Sequence, residues 1–329
     1  MLKLPARTVV AAHRAGCAFA AGRRFSTTPH RAAAAEIKHL GVVGAGQMGL
    51  GIALVAAQKA AVPVTLVDQS QAALDKGLAF ADKLLAKDVG KGRLSQADAD
   101  AARARLVPAT SLDALGAVDF VIEAVPEIPD LKCDLFRRLA AVAPAHAVLA
   151  TNTSSISITK IAAAAGVGGG GSGGAGDAVA ARVVATHFMN PVPVQRGVEI
   201  IRGLQTSDAT LATAVAFCRA MGKIPSTSAD TPGFLANRIL MPYLNEAIIC
   251  LETGVGDRDS IDAIMKNGTN VPMGPLQLAD FIGLDTCLAI LQVLHRETGD
   301  SKYRPSVLLA KMVDAGWLGK KTGKGFYDY

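Results

Sequence analysis

The sequence predicts an α/β fold, with an N-terminal parallel-sheet domain followed by an all-helical C-terminal domain. Three observations predict it. Short apolar runs alternate with helix-length segments over the first two-thirds of the chain. The first run leads directly into the glycine-rich string Gly44-Ala45-Gly46-Gln47-Met48-Gly49. After Asp208 strand signals fade, and helical segments punctuated by Gly222, Gly254, Gly268, Gly299 and Gly316 take over. Alternating strand and helix patterns read as βαβ units with a parallel sheet.

The first unit is the most specific. Leu40-Gly41-Val42-Val43 suits a buried parallel strand, Leu50 to Lys59 suits a helix, and Val62 to Val67 suits a second strand ending at Asp68. The spacing G-x-G-x-x-G inside such a unit, with an acid about 20 residues further on, marks a Rossmann-type dinucleotide site. Gly44 permits the tight turn, Gly46 lets a pyrophosphate approach the backbone, and Gly49 lets the helix pack against the strand. The helix start at Gln47 and Met48 offers unpaired N–H groups to the pyrophosphate. Asp68 is placed to accept from the adenosine ribose hydroxyls, and its charge repels a 2′-phosphate, so the cofactor expected is NAD rather than NADP.

The sheet domain continues. Gln71 to Leu106 reads as a long helical region broken near Gly90-Lys91-Gly92, Val118 to Ala124 as a buried strand, and Lys132 to Ala141 as a helix. Val148-Leu149-Ala150 is a short strand running into Thr151-Asn152-Thr153-Ser154-Ser155, and ligands in open α/β sheets bind past such strand ends. Val183 to Thr186 is a further strand that delivers His187, followed by a proline-fixed turn and, twelve positions on, Glu199. A carboxylate bonded to one imidazole nitrogen fixes the tautomer and leaves the other nitrogen to take a proton. Alcohol oxidation needs such a base, because the hydroxyl proton must leave as hydride leaves the same carbon. Helices are expected over Ala209 to Met221, Asn237 to Leu251, Ser260 to Lys266, Pro275 to Glu297 and Pro305 to Ala315.

The strings GAGQMG, NTSS, HFMNPVP, the following E-I-I, DTPGFLANR and KKTGKGFY occur in that order across residues 38–328. With them the chain resembles the L-3-hydroxyacyl-CoA dehydrogenase family, including the 3-hydroxybutyryl-CoA dehydrogenases. The resemblance implies NAD-dependent oxidation of an L-3-hydroxyacyl-CoA to a 3-oxoacyl-CoA. It makes His187 the catalytic base or acid, Glu199 its orienting partner, Ser154 a hydrogen-bonding group for the reacting oxygen and for the cofactor side, and Asn237 an amide for the substrate oxygens. It puts Glu127 and Asn190 at the nicotinamide end, Lys132 at the junction of cofactor and CoA, and Lys91 against the CoA phosphates. It also implies a homodimer formed through the helical part. Leu240, Leu244, Ile248 and Leu284, Leu288, Leu291 suit either that interface or an internal core. A related sugar-acid oxidoreductase of the L-gulonate 3-dehydrogenase type and a non-catalytic NAD-binding protein are the competing readings.

Composition limits the remaining classes. The chain has 329 residues and a net charge of +6, but residues 1–35 carry Lys3, Arg7, Arg14, Arg23, Arg24 and Arg31 and no acid. The rest is near neutral, so no nucleic-acid surface is expected. Residues 1–35 read instead as a mitochondrial targeting segment, which implies the matrix as destination. The sheet domain is then residues 36–229 and the helical domain 230–329. No apolar run reaches the length of a membrane span, so no stable membrane insertion is expected. Five scattered cysteines, with no C-x-x-C, suggest neither disulfides nor a metal site. The family pattern is departed from at residues 166–177, a Gly-rich insertion expected to be a flexible surface loop, and at Leu84, where many members place a polar contact to CoA.

Overall fold

The computed structural model describes residues 34–168 and 174–329. The targeting segment therefore lies outside the described residues for nearly all of its length. Six strands, β1 (Leu40–Val43), β2 (Val64–Val67), β3 (Leu106–Ala109), β4 (Phe120–Glu123), β5 (Val148–Thr151) and β6 (Val183–Phe188), lie parallel in the order β3-β2-β1-β4-β5-β6. This is the strand order of the doubly wound dinucleotide fold, with its crevice where the order reverses between β1 and β4. β7 (Gly197–Arg202) then turns back antiparallel to β6, and β8 (Ile224–Ala229) closes the sheet parallel to β7.

Each face of the sheet is covered because successive strand residues point to opposite sides. Leu40, Val42, Leu66, Phe120, Ile122 and Ile200 face one layer, packed under α1 (Gln47–Val55), α2 (Gln71–Gly90), α3 (Gln96–Ala104) and α7 (Asp208–Ala220). Val43, Val67, Val121, Leu149, Ala185 and Ile201 face the other, under α4 (Pro129–Val142), α5 (Ile158–Gly168) and α6 (Gly174–Ala180). The remaining helices, α8 (Ala236–Glu252), α9 (Arg258–Gly268), α10 (Pro275–Ile282), α11 (Leu284–Thr298) and α12 (Val307–Asp314), enclose a third core. Their starts are fixed locally: the Asp257 and Ser306 side chains accept the Ser260 and Leu309 amides at the N-termini of α9 and α12. Leu244, Ile248, Leu284 and Leu291 are buried inside this core, which assigns those positions to intramolecular packing. The C-terminal tail is fastened to the same core by Asp280, 1 % exposed, whose carboxylate accepts the Phe326 and Tyr327 amides at 2.9 Å each.

Four local expectations are corrected. The region from Gln71 to Leu106 is not helical to its end, since Leu106 opens strand β3. β3 is an edge strand carrying Pro108, which leaves no alternation to read and is tolerated only at an edge. Strand structure does not fade after Asp208 either: β8, with the sequence IPSTSA, is the opposite edge and is largely exposed. Pro275 to Glu297 is two helices rather than one, meeting at 95° where Gly283 takes φ +104°. Among the described residues, no single helix is long and apolar enough to cross a membrane. Residues 166–168 and 174–177, expected in a flexible loop, instead end α5 and begin α6. There the two backbones meet so closely that a Cβ on Gly166 would lie 2.9 Å from the Gly176 carbonyl oxygen. Gly166 and Gly176 are contact residues between the two helices.

Candidate active site

The glycine turn lines a cavity of about 790 Å³ at the C-terminal ends of β1, β2 and β4, walled by Gly44, Gly46, Met48, Asp68, Lys76 and Pro126. Each glycine has a distinct reason. Gly44 has φ +104° and a Cβ there would meet the Ala124 carbonyl oxygen at 2.7 Å, while a Cβ on Gly49 would fall 1.9 Å from the Gly44 oxygen. A Cβ on Gly46 would meet nothing within 4 Å, so this residue is glycine for the sake of the space in front of it. Gly46 is the N-cap of α1 and no side chain caps that end, which leaves the first amides directed at the same space. Asp68 holds the turn in shape: its Oδ2 accepts the Ala45 amide at 2.9 Å and its Oδ1 the Ser70 amide at 2.9 Å. An open glycine backbone, an uncapped helix start and a carboxylate at the end of β2 fit a dinucleotide.

The second group of residues lies past β5 and β6. His187 and Glu199 are direct partners in the antiparallel β6–β7 register, and both are buried, at 7 % and 5 % exposed. His187 Nδ1 lies 3.1 Å from Glu199 Oε2, and His187 Nε2 lies 3.0 Å from Ser154 Oγ. An ionised Glu199 can only accept, so the proton sits on Nδ1 and Nε2 accepts from the Ser154 hydroxyl, a tautomer inferred from the network. The other oxygen of Glu199, Oε1, accepts the Leu235 and Ala236 amides at 2.7 and 3.1 Å, at the start of α8. The Phe234 ring packs edge-on against the imidazole with centroids 6.0 Å apart. Asn237, in the first turn of α8, donates from Nδ2 to the Ser154 carbonyl at 3.4 Å. The first helix of the C-terminal half thus reaches the site in the sheet half through both Glu199 and Asn237.

The loop after β5 is wrapped around one carboxylate. Glu127 Oε1 accepts the Thr153 hydroxyl at 2.6 Å, the Ser154 amide at 2.8 Å, and both the amide and hydroxyl of Ser155 at 3.0 Å. Burial works against ionisation of Glu127, but the Lys132 ammonium and these hydrogen bonds outweigh it and hold its carboxyl below the usual glutamate value. Beneath it Lys132, 1 % exposed, pairs with Glu127 at 3.2 Å and with Glu123 at 2.7 Å. Glu123 is fully buried and also receives the Val125 amide and the Thr151 hydroxyl. Asn152 ties β5 to β6 by accepting the Phe188 amide at 2.9 Å, and Gln47 donates to Asn190 across the cleft at 3.2 Å.

The structure therefore brings together Ser154, His187, Glu199 and Asn237 in one cluster, with Glu127 beside them. Gly44, Gly46, Gln47, Met48, Gly49 and Asp68 are gathered around the adjoining turn. Two lysines of the expected set stand outside these groups. Lys132, expected at the junction of cofactor and CoA, is buried between Glu123 and Glu127. Lys91, expected against the CoA phosphates, stands exposed just past the end of α2. Lys76, on α2, lines the cavity. Sequence reasoning also passed over Glu123, although a glutamate inside an otherwise apolar strand is itself a signal, since a buried charge requires a partner. Leu84 packs against the core beneath α2.

Comparison with known proteins agrees with this layout. Residues 39–231 match the family model for the 3-hydroxyacyl-CoA dehydrogenase NAD binding domain, and residues 233–329 match that for the 3-hydroxyacyl-CoA dehydrogenase C-terminal domain. A 3-hydroxybutyryl-CoA dehydrogenase of Bradyrhizobium diazoefficiens is 49% identical over 296 residues, covering 90% of this chain and 97% of that protein. The human mitochondrial hydroxyacyl-coenzyme A dehydrogenase is 40% identical over 300 residues, covering 89% of this chain and 91% of its own length. The crystal structure of (S)-3-hydroxybutyryl-CoA dehydrogenase from Ralstonia eutropha superposes with a TM-score of 0.83 at 46% identity, covering 89% of this chain and 99% of that one. The chain belongs to the 3-hydroxyacyl-CoA dehydrogenase family.

Proposed function

We propose that the chain oxidises the 3-hydroxyl of an L-3-hydroxyacyl-CoA to the 3-oxo ester, and catalyses the reverse reduction, with NAD as cofactor. The observation that carries this reading is the unbroken line Ser154–His187–Glu199 next to the glycine turn. NAD, when bound, supplies the hydride acceptor. A substrate hydroxyl set between Ser154 Oγ and His187 Nε2 receives a hydrogen bond from the serine and gives its proton to the imidazole. Glu199 stabilises the imidazolium so formed and keeps the ring in its orientation, as a buried carboxylate does for a catalytic histidine. The Asn237 amide is near enough to Ser154 to steady the same oxygen. Asp68 takes the adenosine ribose, Gly46 with the start of α1 takes the pyrophosphate, and Glu127 and Asn190 flank the nicotinamide end. Lys76, which lines the cavity, and Lys91, exposed past the end of α2, are the cations for the CoA phosphates.

We further propose a homodimer and a mitochondrial location. The dimer is supported by an apolar groove of about 620 Å³ between α8 and α9, where Val255 and Ile264 are 77 % and 66 % exposed. The location is supported by the basic, acid-free segment 1–35 and by the human relative's name; other relatives are bacterial. The test of function is acetoacetyl-CoA-dependent oxidation of NADH by the purified protein. Oxidation of L-gulonate without any thioester activity, or NAD binding with no turnover of either, sinks this reading.

A further inference from the structure

Lys223 precedes β8 and is 8 % exposed. Its ammonium donates to two main-chain carbonyls, those of Val192 and, at 2.7 Å, Gln195. Among the described residues no carboxylate pairs with it. Burial pushes its ammonium down from the ordinary lysine value. Keeping a cation in such a place costs stability, so the two carbonyls it holds require explanation.

Those carbonyls belong to the turn that follows His187 and Asn190. The turn is compact: the Val194 and Gln195 amides both return to the Pro191 carbonyl, at 3.0 and 2.9 Å. One end of it is wedged under α1. Val192 is 2 % exposed, and a Cβ added to Gly51 would lie 2.9 Å from its Cβ. The Arg196 carbonyl accepts the Ile224 amide at 2.8 Å, next to Lys223 in the chain. The turn has no regular secondary structure to receive its carbonyls, and Lys223 supplies the donors. At its leading edge is Asn190, aligned with the start of α1 through Gln47 at 3.2 Å.

We propose that Lys223 is a positioning residue that pins the 191–195 turn and thereby sets Asn190 against the nicotinamide end of the cofactor. This rests on the reading of Asn190 as a cofactor contact. It separates Lys223 from a purely structural buried lysine, because its effect must pass through Asn190.

The experiment is a double-mutant cycle of Lys223→Met and Asn190→Ala, read by KM for NAD, kcat, NADH affinity by fluorescence and the thermal midpoint. Misplacing a contact group by about 1 Å is enough to cost up to about a hundredfold, so Lys223→Met is expected to raise KM for NAD and the NADH Kd by about tenfold. It should change kcat far less and have little further effect in the Asn190→Ala background. Lys223→Arg, which keeps the charge and donors, should restore most of the NADH affinity. The proposal is overturned if Lys223→Met lowers only the thermal midpoint, or if its effect on NADH affinity adds in full to that of Asn190→Ala. If Asn190→Ala alone leaves NADH affinity unchanged, it is the cofactor contact that fails, and the pin with it. Should Lys223→Met not yield folded protein, Lys223→Gln goes through the same cycle under the same criteria.

Discussion

His187 and Glu199 are cross-strand partners: the antiparallel register of β6 and β7 sets them opposite each other, with Nδ1 and Oε2 3.1 Å apart. The pair therefore does not depend on a mobile loop for its geometry. The β6–β7 ladder fixes the two Cα positions before either side chain is considered, and β8 backs Glu199 from the far side through Ser226. Among the described residues, the one antiparallel pairing of the sheet is also the one that lets a strand end meet the returning strand at the mouth of the crevice.

If His187 is the proton acceptor, its removal should affect chemistry and leave cofactor binding alone. His187→Ala is expected to lower kcat by roughly two to four orders of magnitude, the usual contribution of a positioned general base. NADH affinity, set by the glycine turn and Asp68, should stay within about twofold of the parent, since no cofactor-binding group is removed. Stopped-flow turnover with acetoacetyl-CoA and fluorescence titration of NADH measure the two separately. Near-normal turnover rules the role out.

Glu199 has a second task, because its other oxygen accepts the Leu235 and Ala236 amides at the start of α8. Glu199→Ala should therefore lose stability as well as rate. An uncapped helix start and an unsatisfied buried ring nitrogen together suggest about 2–4 kcal/mol. Glu199→Gln keeps an acceptor for the amides and should recover much of the stability while turnover stays low. Urea denaturation of the two variants beside their kcat values checks this. Equal destabilisation by both would show that the cap is not what Glu199 supplies to the fold.

What the sequence revealed and what it hid differ in a consistent way. The β1–α1–β2 unit could be read because each glycine and Asp68 answers to a local constraint of the turn. His187 and Glu199 could be named, but that they are register partners could not, since twelve residues of separation are compatible with many turns. β3 and β8 escaped because edge strands need only one hydrogen-bonded side, and their composition (Pro108, Pro225, Ser226, Ser228) is free to be polar. The burial of Lys132 was hidden for a related reason. A lysine on an amphipathic helix gives no sign of whether it meets solvent or a buried glutamate on the neighbouring strand.

The two lysines should separate cleanly on substitution. Lys132→Met leaves fully buried Glu123 without its cation, and breaking a buried pair from one side costs about 3–5 kcal/mol. Its main effect should be a lowered thermal midpoint. Lys76→Ala removes an exposed cation on the cavity wall and should leave the midpoint almost unchanged while raising KM for acetoacetyl-CoA. The increase should shrink at high salt, where screening weakens the contact to phosphate. A Lys76→Ala variant with unaltered KM would remove this residue from the CoA site.

The fastening of the C-terminal tail should respond to pH in a defined direction. Burial raises the Asp280 carboxyl above its ordinary value, against the lowering effect of the Phe326 and Tyr327 amides, and nearby Asp262 adds to the rise. A carboxyl with a raised folded-state pKa binds its proton more tightly folded than unfolded. Its contribution to stability is therefore complete below the unfolded value and declines as pH rises through the folded one. Asp280→Asn cannot ionise and lacks this decline. The variant starts with a deficit, because one of its two acceptors becomes a donor facing amides. The stability difference between variant and parent should narrow as pH is raised from the acid side toward neutrality. Chemical denaturation at closely spaced pH values gives that difference directly, and a gap that widens over the interval would reverse the sign assigned to Asp280.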